Sequence, residues 1–225
     1  MFVDESGSQE GHSRYCLVTL VFHRQSLSVE DAIAGHEADL SRRGLDDVAS
    51  HMSPLMNGHD AYENYDMATR KMMLSAFEGF VRKLPFTYKT FAYKRSEVES
   101  PERFTARFRR DLMLFLMGDL AFFQEFAAVK IYYDNGQPMV TEALHKAIDY
   151  TISRQAVMYR AATQTDYRLS QVADYICTLE LTDIKYKAGE LTATDIKIFG
   201  EDYQAFKRNH LKHVRKKQDG REKGL

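Results

Sequence analysis

Tryptophan is absent from this chain of 225 residues, cysteine occurs twice and proline only four times. Cys16 and Cys177 each lie inside an apolar stretch, in neither a C-x-x-C nor a Cys/His spacing, which excludes a zinc finger and a disulfide framework. They read as two buried thiols of a protein in a reducing, cytoplasmic compartment. Long apolar runs are missing too. None reaches the roughly 18 residues of a membrane span, and no secretory apolar segment opens the chain, so a soluble protein with no membrane partner is expected. Nor is there an excess of charge of either sign: 31 Lys and Arg stand against 32 Asp and Glu, for a formal net charge of -1. Global charge therefore names no partner.

With 44% hydrophobic and 28% charged residues, the chain can bury one sizeable core, and neither an internal repeat nor a low-complexity linker divides it. Met1 to Gly7 and Tyr15 to Phe22 read as a hairpin, because β-branched and aromatic residues fill both arms and Ser6 to Ser13 is turn-rich. Leu17 to Phe22, almost continuously apolar, marks an interior strand covered on both faces. Residues 27–85 form an insertion: a polar helix over 28–47, an irregular stretch from Ala49 to Asn64, and a helix capped by Asp66 that carries Met73, Phe77, Phe80, Val81 and Leu84 on one stripe. Phe86 to Lys94 alternates as a third strand. Ser100-Pro101-Glu102 starts a long helix. Ala128 to Asp134 is a fourth strand, a helix runs from about Pro138 to Tyr159, a short fifth strand lies near Ala162 to Asp166, and a last core helix runs from about Leu169 to Tyr186. Strands interleaved with helices in this order predict an α/β domain over 1–200, with a mixed sheet flanked by helices and a helical insertion between strands two and three.

Asp4 stands where strand one runs into a turn, and Asp134 closes strand four. A sheet that sets those strands side by side brings the two carboxylates together, and clustered oxygens of this kind suit hard cations. Asp before Asn135-Gly136 is equally ordinary turn chemistry. In Ser170-Gln171-Val172-Ala173-Asp174, helical spacing puts Gln171 and Asp174 on one face, either against the sheet or toward water.

Taken together, Phe2-Val3-Asp4-Glu5-Ser6-Gly7, His51-Met52-Ser53-Pro54-Leu55, Tyr132-Tyr133-Asp134 and Gln171-Val172-Ala173-Asp174 resemble the family known as domain of unknown function 3800, across most of the chain. That family is grouped with the ribonuclease-H-like fold, whose nucleases use acidic residues on the first strand, the fourth strand and a later helix. The resemblance implies Mg²⁺- or Mn²⁺-assisted phosphodiester cleavage with one or two ions. Asp4 would be a shared ligand, Asp134 and Asp174 flanking ligands, and Gln171, Glu5 and Ser6 orienting groups. Glu5 should alternate to the opposite face of strand one. Ribonuclease H itself has a further glutamate after strand three, for which Glu97, Glu99 and Glu102 are equal candidates. His51 would serve as ligand or general base, since imidazole is suited to both roles. The alternatives are a catalytically inactive module of the same fold that binds nucleic acid or protein, and a hydrolase of small phosphoesters.

The segment Glu201 to Leu225 is basic. Tyr203, Phe206, His210 and Val214 recur at helical spacing, so two readings stand: a docked helix presenting Lys207, Arg208, Lys212, Arg215, Lys216 and Lys217 to nucleic-acid phosphates, or a solvated terminus. Tyr62 and Tyr65 are candidates for base stacking.

Overall fold

The apolar arms at the start of the chain form the middle of a sheet. In the computed structural model, which describes residues 1–7, 13–134, 136–152, 157–161 and 165–219, β1 (Phe2–Ser6) pairs antiparallel with β2 (Tyr15–Phe22), Asp4 lying opposite Thr19. After β2 come α1 (Glu30–Arg43), the short α2 (Met52–Asn57) and α3 (Met67–Lys83), and β3 (Thr87–Lys94) then pairs antiparallel with β2. Helices α4 (Pro101–Gly118) and α5 (Leu120–Gln124) lead to β4 (Val129–Tyr133), which runs parallel to β1. Next, α6 (Pro138–Thr151) leads to β5 (Val157–Ala161), parallel to β4. The five-stranded mixed sheet therefore has the order β3-β2-β1-β4-β5. The chain ends through α7 (Arg168–Ala188), α8 (Ala193–Phe199), α9 (Tyr203–Phe206), a π-helical turn (Lys207–Leu211) and α10 (Lys212–Arg215). Among the described residues no helix is long and apolar enough to cross a membrane.

Two cores sandwich the sheet. Period-2 alternation sends Phe2 and Val21 to one face, where they meet α3, α7 and the C-terminal helices through Phe77, Phe80, Tyr175, Ile176 and Phe206. It sends Val3, Val18 and Leu20 to the other, against Phe104, Phe108 and Leu112 of α4 and Val140 and Leu144 of α6. β2 is buried along its whole length, as its unbroken apolar run requires. Each large side chain of the α4 stripe contributes about 1.5–3 kcal/mol by leaving water. The helix starts are those the sequence implies: Asp66 accepts from the Thr69 N–H at 2.7 Å and Ser100 from the Arg103 N–H at 3.3 Å, with Pro101 following.

Three expectations are corrected. The stretch Ala49–Asn64 is not wholly irregular, because α2 and a 3-10 turn (Asp60–Tyr62) form there, with Met52, Leu55, Met56 and Tyr62 in the core. The helix after β4 ends at Thr151 rather than near Tyr159, and strand five occupies 157–161 rather than 162–166. Parallel pairing of Val157, Met158 and Tyr159 with Val129, Lys130 and Ile131 captures residues that helical spacing alone would have kept. Ala162–Gln164, most of the turn between the first two strands, and Arg221 and Lys223 of the tail lie outside the described residues.

Candidate active site

The central position of β1 brings the acidic residues together. Asp4, half-buried, shares the α7 side of the sheet with Phe2, and a polar row continues sideways from it: Thr19 faces it on β2, and the Thr19 and Thr90 hydroxyls lie 2.9 Å apart. Above this row the Cys177 thiol is bonded by Thr19 and held well above the ordinary thiol range, by burial first and then by the charge of Asp4. It is an unreactive structural thiol.

Asp174, on the same helix, is buried, and its Oδ2 accepts the backbone N–H of Met52 at 2.7 Å. One carboxylate thereby fastens the start of α2 across 122 residues of sequence and sets His51, exposed and immediately before α2, beside the site. The Asp174 carboxyl is pushed up to about 6, by burial first, against the opposing pull of the Met52 N–H and of His51, and with the Asp134 charge adding to the rise. Asp4 is raised well above the carboxylate range by burial and then by the charges of Asp174, Glu5 and Asp134. Buried carboxyls that repel one another in this way share protons when nothing else neutralises them.

Asp134 is exposed one residue beyond the end of β4, and its Oδ1 accepts the Gly136 N–H at 3.0 Å. Asp134 thus makes a turn bond, and its charge is also felt by Asp4, Glu5 and Asp174.

Glu5 does alternate to the opposite side of β1, yet it belongs to the same cluster. The turn from β4 into α6 folds over it: the Tyr133 hydroxyl donates to its carboxylate and itself accepts the Gln137 N–H at 3.2 Å. Glu5 Oε2 is buried with no hydrogen-bond partner, and the carboxyl is pushed up to about 7, burial leading and Asp134 adding to it. A Cβ at 136 would lie 2.4 Å from Glu5 Oε1, so any residue but glycine there would displace the Glu5 carboxylate. Gly7 is required for a different reason. With φ +92° its Cβ would meet the Tyr15 carbonyl oxygen at 2.0 Å, so position 7 admits no side chain.

Sequence reasoning left the fourth carboxylate among Glu97, Glu99 and Glu102. All three are exposed; Glu99 pairs with Arg103 at 3.1 Å and Glu102 is held low by the Ser100 hydroxyl. The carboxylate that acts on Asp4 beside Asp134 and Asp174 is Glu5. Its approach depends on the β4–α6 turn, which strand alternation does not encode. Gln171 is buried on α7 one turn before Asp174, and Ser6 is half-buried at the end of β1, opposite Leu17. Tyr62 is not available for stacking, being buried with its hydroxyl on the Ala49 carbonyl, while Tyr65 is half-buried and donates to Asp46.

Of the basic C-terminal residues, two face inward. Arg215 Nη2 bonds Glu180 Oε2 at 2.7 Å and Asp183 Oδ2 at 2.6 Å, and Lys217 Nζ donates to the Leu84 carbonyl at 2.5 Å over the Phe86 ring. Lys207, Arg208, Lys212 and Lys216 are exposed. The tail is docked, since Tyr88 at the β3 edge donates to the Lys217 carbonyl and accepts from the Asp219 N–H.

The chemistry of the donor set fits a hard divalent cation: several carboxylate oxygens, uncompensated negative charge and a buried Glu5 oxygen without a partner. Among the described residues no three His, Cys, Asp or Glu side chains are gathered closely enough to hold a metal ion as they stand. In comparisons with known proteins, no family model matches this chain, and neither a curated protein nor a solved structure matches it significantly.

Proposed function

We propose that this chain is a ribonuclease-H-like, divalent-metal-dependent phosphodiester hydrolase acting on nucleic acid, related to the domain of unknown function 3800 family. The observation that carries this reading is the elevation of the Asp4 and Asp174 carboxyls, on β1 and α7, by burial and by neighbouring carboxylates that include Asp134 at the end of β4. The adjacency of parallel β1 and β4 in mid-sheet supports it, because it sets Asp4 and Asp134 at one end of neighbouring strands.

Asp4, Asp134 and Asp174 would hold Mg²⁺ or Mn²⁺, with Glu5 as a further oxygen donor. The chemistry such an ion would supply there is activation of water and stabilisation of the leaving oxygen. The chain's own residues do the rest. The Met52 N–H fixes the orientation of Asp174 and leaves its other oxygen for the cluster. Gln171, one turn earlier, orients groups along the same helix face. His51, exposed beside Asp174, is placed to take a proton from the attacking water. The sheet and α7 keep one side of the cluster dry, which strengthens every charge interaction there.

The test is incubation with end-labelled single-stranded DNA, duplex DNA, RNA and RNA/DNA hybrid in Mn²⁺ or EDTA, beside Asp134→Asn. Metal-dependent cleavage that disappears in the variant is expected. Failure to cut any of the four substrates by folded protein in Mn²⁺ would overturn the enzymatic reading. One observation favours the second reading, an inactive binding module of the same fold: no ready-made set of three ligands exists among the described residues. That reading requires oligonucleotide binding that is unchanged in EDTA and cleavage in neither condition.

A further inference from the structure

Arg82 lies in the last turn of α3 and is exposed, and its Nη2 donates to the backbone carbonyl of Asn209 at 3.2 Å. Arg208, also exposed, places its Nε 3.3 Å from the Asn209 side-chain oxygen. Guanidinium groups from two elements distant in sequence therefore flank a single residue. Arg208, Lys212 and Lys216 follow at intervals of four, all exposed, while Phe206, Leu211 and Val214 bury the other side of the segment. Intervals of four stack side chains on one helical face. His213 lies half-buried beside them and is held below the ordinary imidazole range, by burial first and then by Arg82, Lys216 and Lys212, with Glu78 opposing.

That one acid is already engaged. Glu78 Oε1 takes His210 Nδ1 at 2.5 Å and the Tyr175 hydroxyl at 3.1 Å. Among the described residues no carboxylate lies within ion-pair distance of Arg82, Arg208, Lys212 or Lys216, whereas the inward Arg215 has two. The same segment thus separates its cations into paired ones that hold the tail and unpaired ones that face solvent. Unpaired like charges gathered on one face repel one another and attract polyanions. From Arg208 to Lys216 the chain runs through the π-helical turn and α10 and advances at most about 12 Å, the α-helical rise being the upper bound, enough to pass about three phosphates of one strand.

We propose that Arg82, Arg208, Lys212 and Lys216 form one composite surface that grips the phosphate backbone of a nucleic-acid strand without reading its sequence. The surface is attached to the helix of the acidic cluster: Tyr175, which bonds Glu78 beneath it, is the neighbour of Asp174. The proposal rests on the nuclease reading and adds to it where the substrate backbone is held; Arg82 enters the set that the sequence suggested, and Arg215, Lys217 and Lys207, whose ammonium lies over the Tyr203 ring, leave it.

The experiment measures fluorescence anisotropy of a labelled 20-nucleotide single strand in EDTA over a salt series. It uses the full chain, Arg82→Ala/Lys212→Ala/Lys216→Ala, and Lys212→Ala/Lys216→Ala, which keeps the Arg82 contact with Asn209. Four phosphates neutralised give a slope of log K against log salt of about -3. The triple variant should bind at least roughly tenfold more weakly at low salt, with a slope shallower by about 2, and the double variant should fall between. Hydrolysis of bis(p-nitrophenyl) phosphate in Mn²⁺, a diester too small to span the surface, should be equal in all three proteins. Variants that bind with wild-type affinity and slope would overturn the proposal. Lost binding in the variants, with no diester hydrolysis in any protein, would leave the surface standing and remove the nuclease reading instead.

Discussion

Asp174 joins three roles in one side chain: it accepts the first N–H of α2, answers to His51, and carries a proton affinity set by burial and by Asp134. The folded protein holds protons on Asp174, Asp4 and Glu5 more tightly than the unfolded chain does. Between the ordinary carboxylate range and about 6 to 7 the unfolded state therefore binds fewer protons, and stability falls as pH rises through that window. His36 and His213, both held low, act in the opposite direction, so the clean measurement is a difference between two proteins. Asp174→Asn keeps an acceptor for Met52 but removes the charge. In EDTA its melting temperature relative to wild type should increase from pH 5 to pH 7.5; a difference that stays constant or shrinks would show that Asp174 is not held protonated by its surroundings. Asp4 and Asp134 were legible in the sequence because strand ends and turn residues mark them. The approach of Glu5 was not, since it arises from the turn at Gly136, where the close contact exists only once β4 and β1 are side by side.

The elements themselves follow from the chain wherever periodicity is long. α3, α4 and α7 have apolar stripes of four or more residues, and two of them carry side-chain caps. The short elements depend on tertiary partners: α2 on Asp174, β5 on parallel pairing with β4. The C-terminal helices gave two readings from sequence, and the inward charges favour the docked one. Arg215 bridges Glu180 and the almost fully buried Asp183, which also accepts from the Tyr203 hydroxyl at 2.7 Å, while Tyr88 on β3 donates to Glu180 at 2.7 Å. Removing one member of such a network leaves buried charge without its partner. Arg215→Ala should lower stability by about 2 kcal/mol or more in urea unfolding; a loss below about 0.5 kcal/mol would contradict a docked tail. Arg215→Lys should recover only part of it, because one ammonium does not reproduce the fork that reaches both carboxylates.

The whole molecule is a five-stranded sheet with separate cores on its two faces and acidic side chains gathered at one end of its middle strands. The alternation of elements made the α/β class readable in advance, whereas the adjacency of strands one and four entered the sequence reading only as the condition under which Asp4 and Asp134 meet. The division of the basic segment into an inner, paired set and an outer, unpaired set was not readable, because Lys and Arg at helical spacing do not reveal which acids wait on α7. The acidic cluster gathers carboxylates from β1, the end of β4 and α7 whose charges raise Asp4 and Asp174, and the reading of the chain as a metal-dependent hydrolase stands on that fact.

The most direct measurement is calorimetric titration of Mn²⁺ into the protein at pH 7.5, with wild type beside Asp4→Asn and Asp174→Asn. The site as described predicts saturable binding with release of protons from the raised carboxyls, abolished or weakened at least roughly 10-fold in each variant. Absence of binding to wild type, or binding of equal strength in both variants, would contradict it.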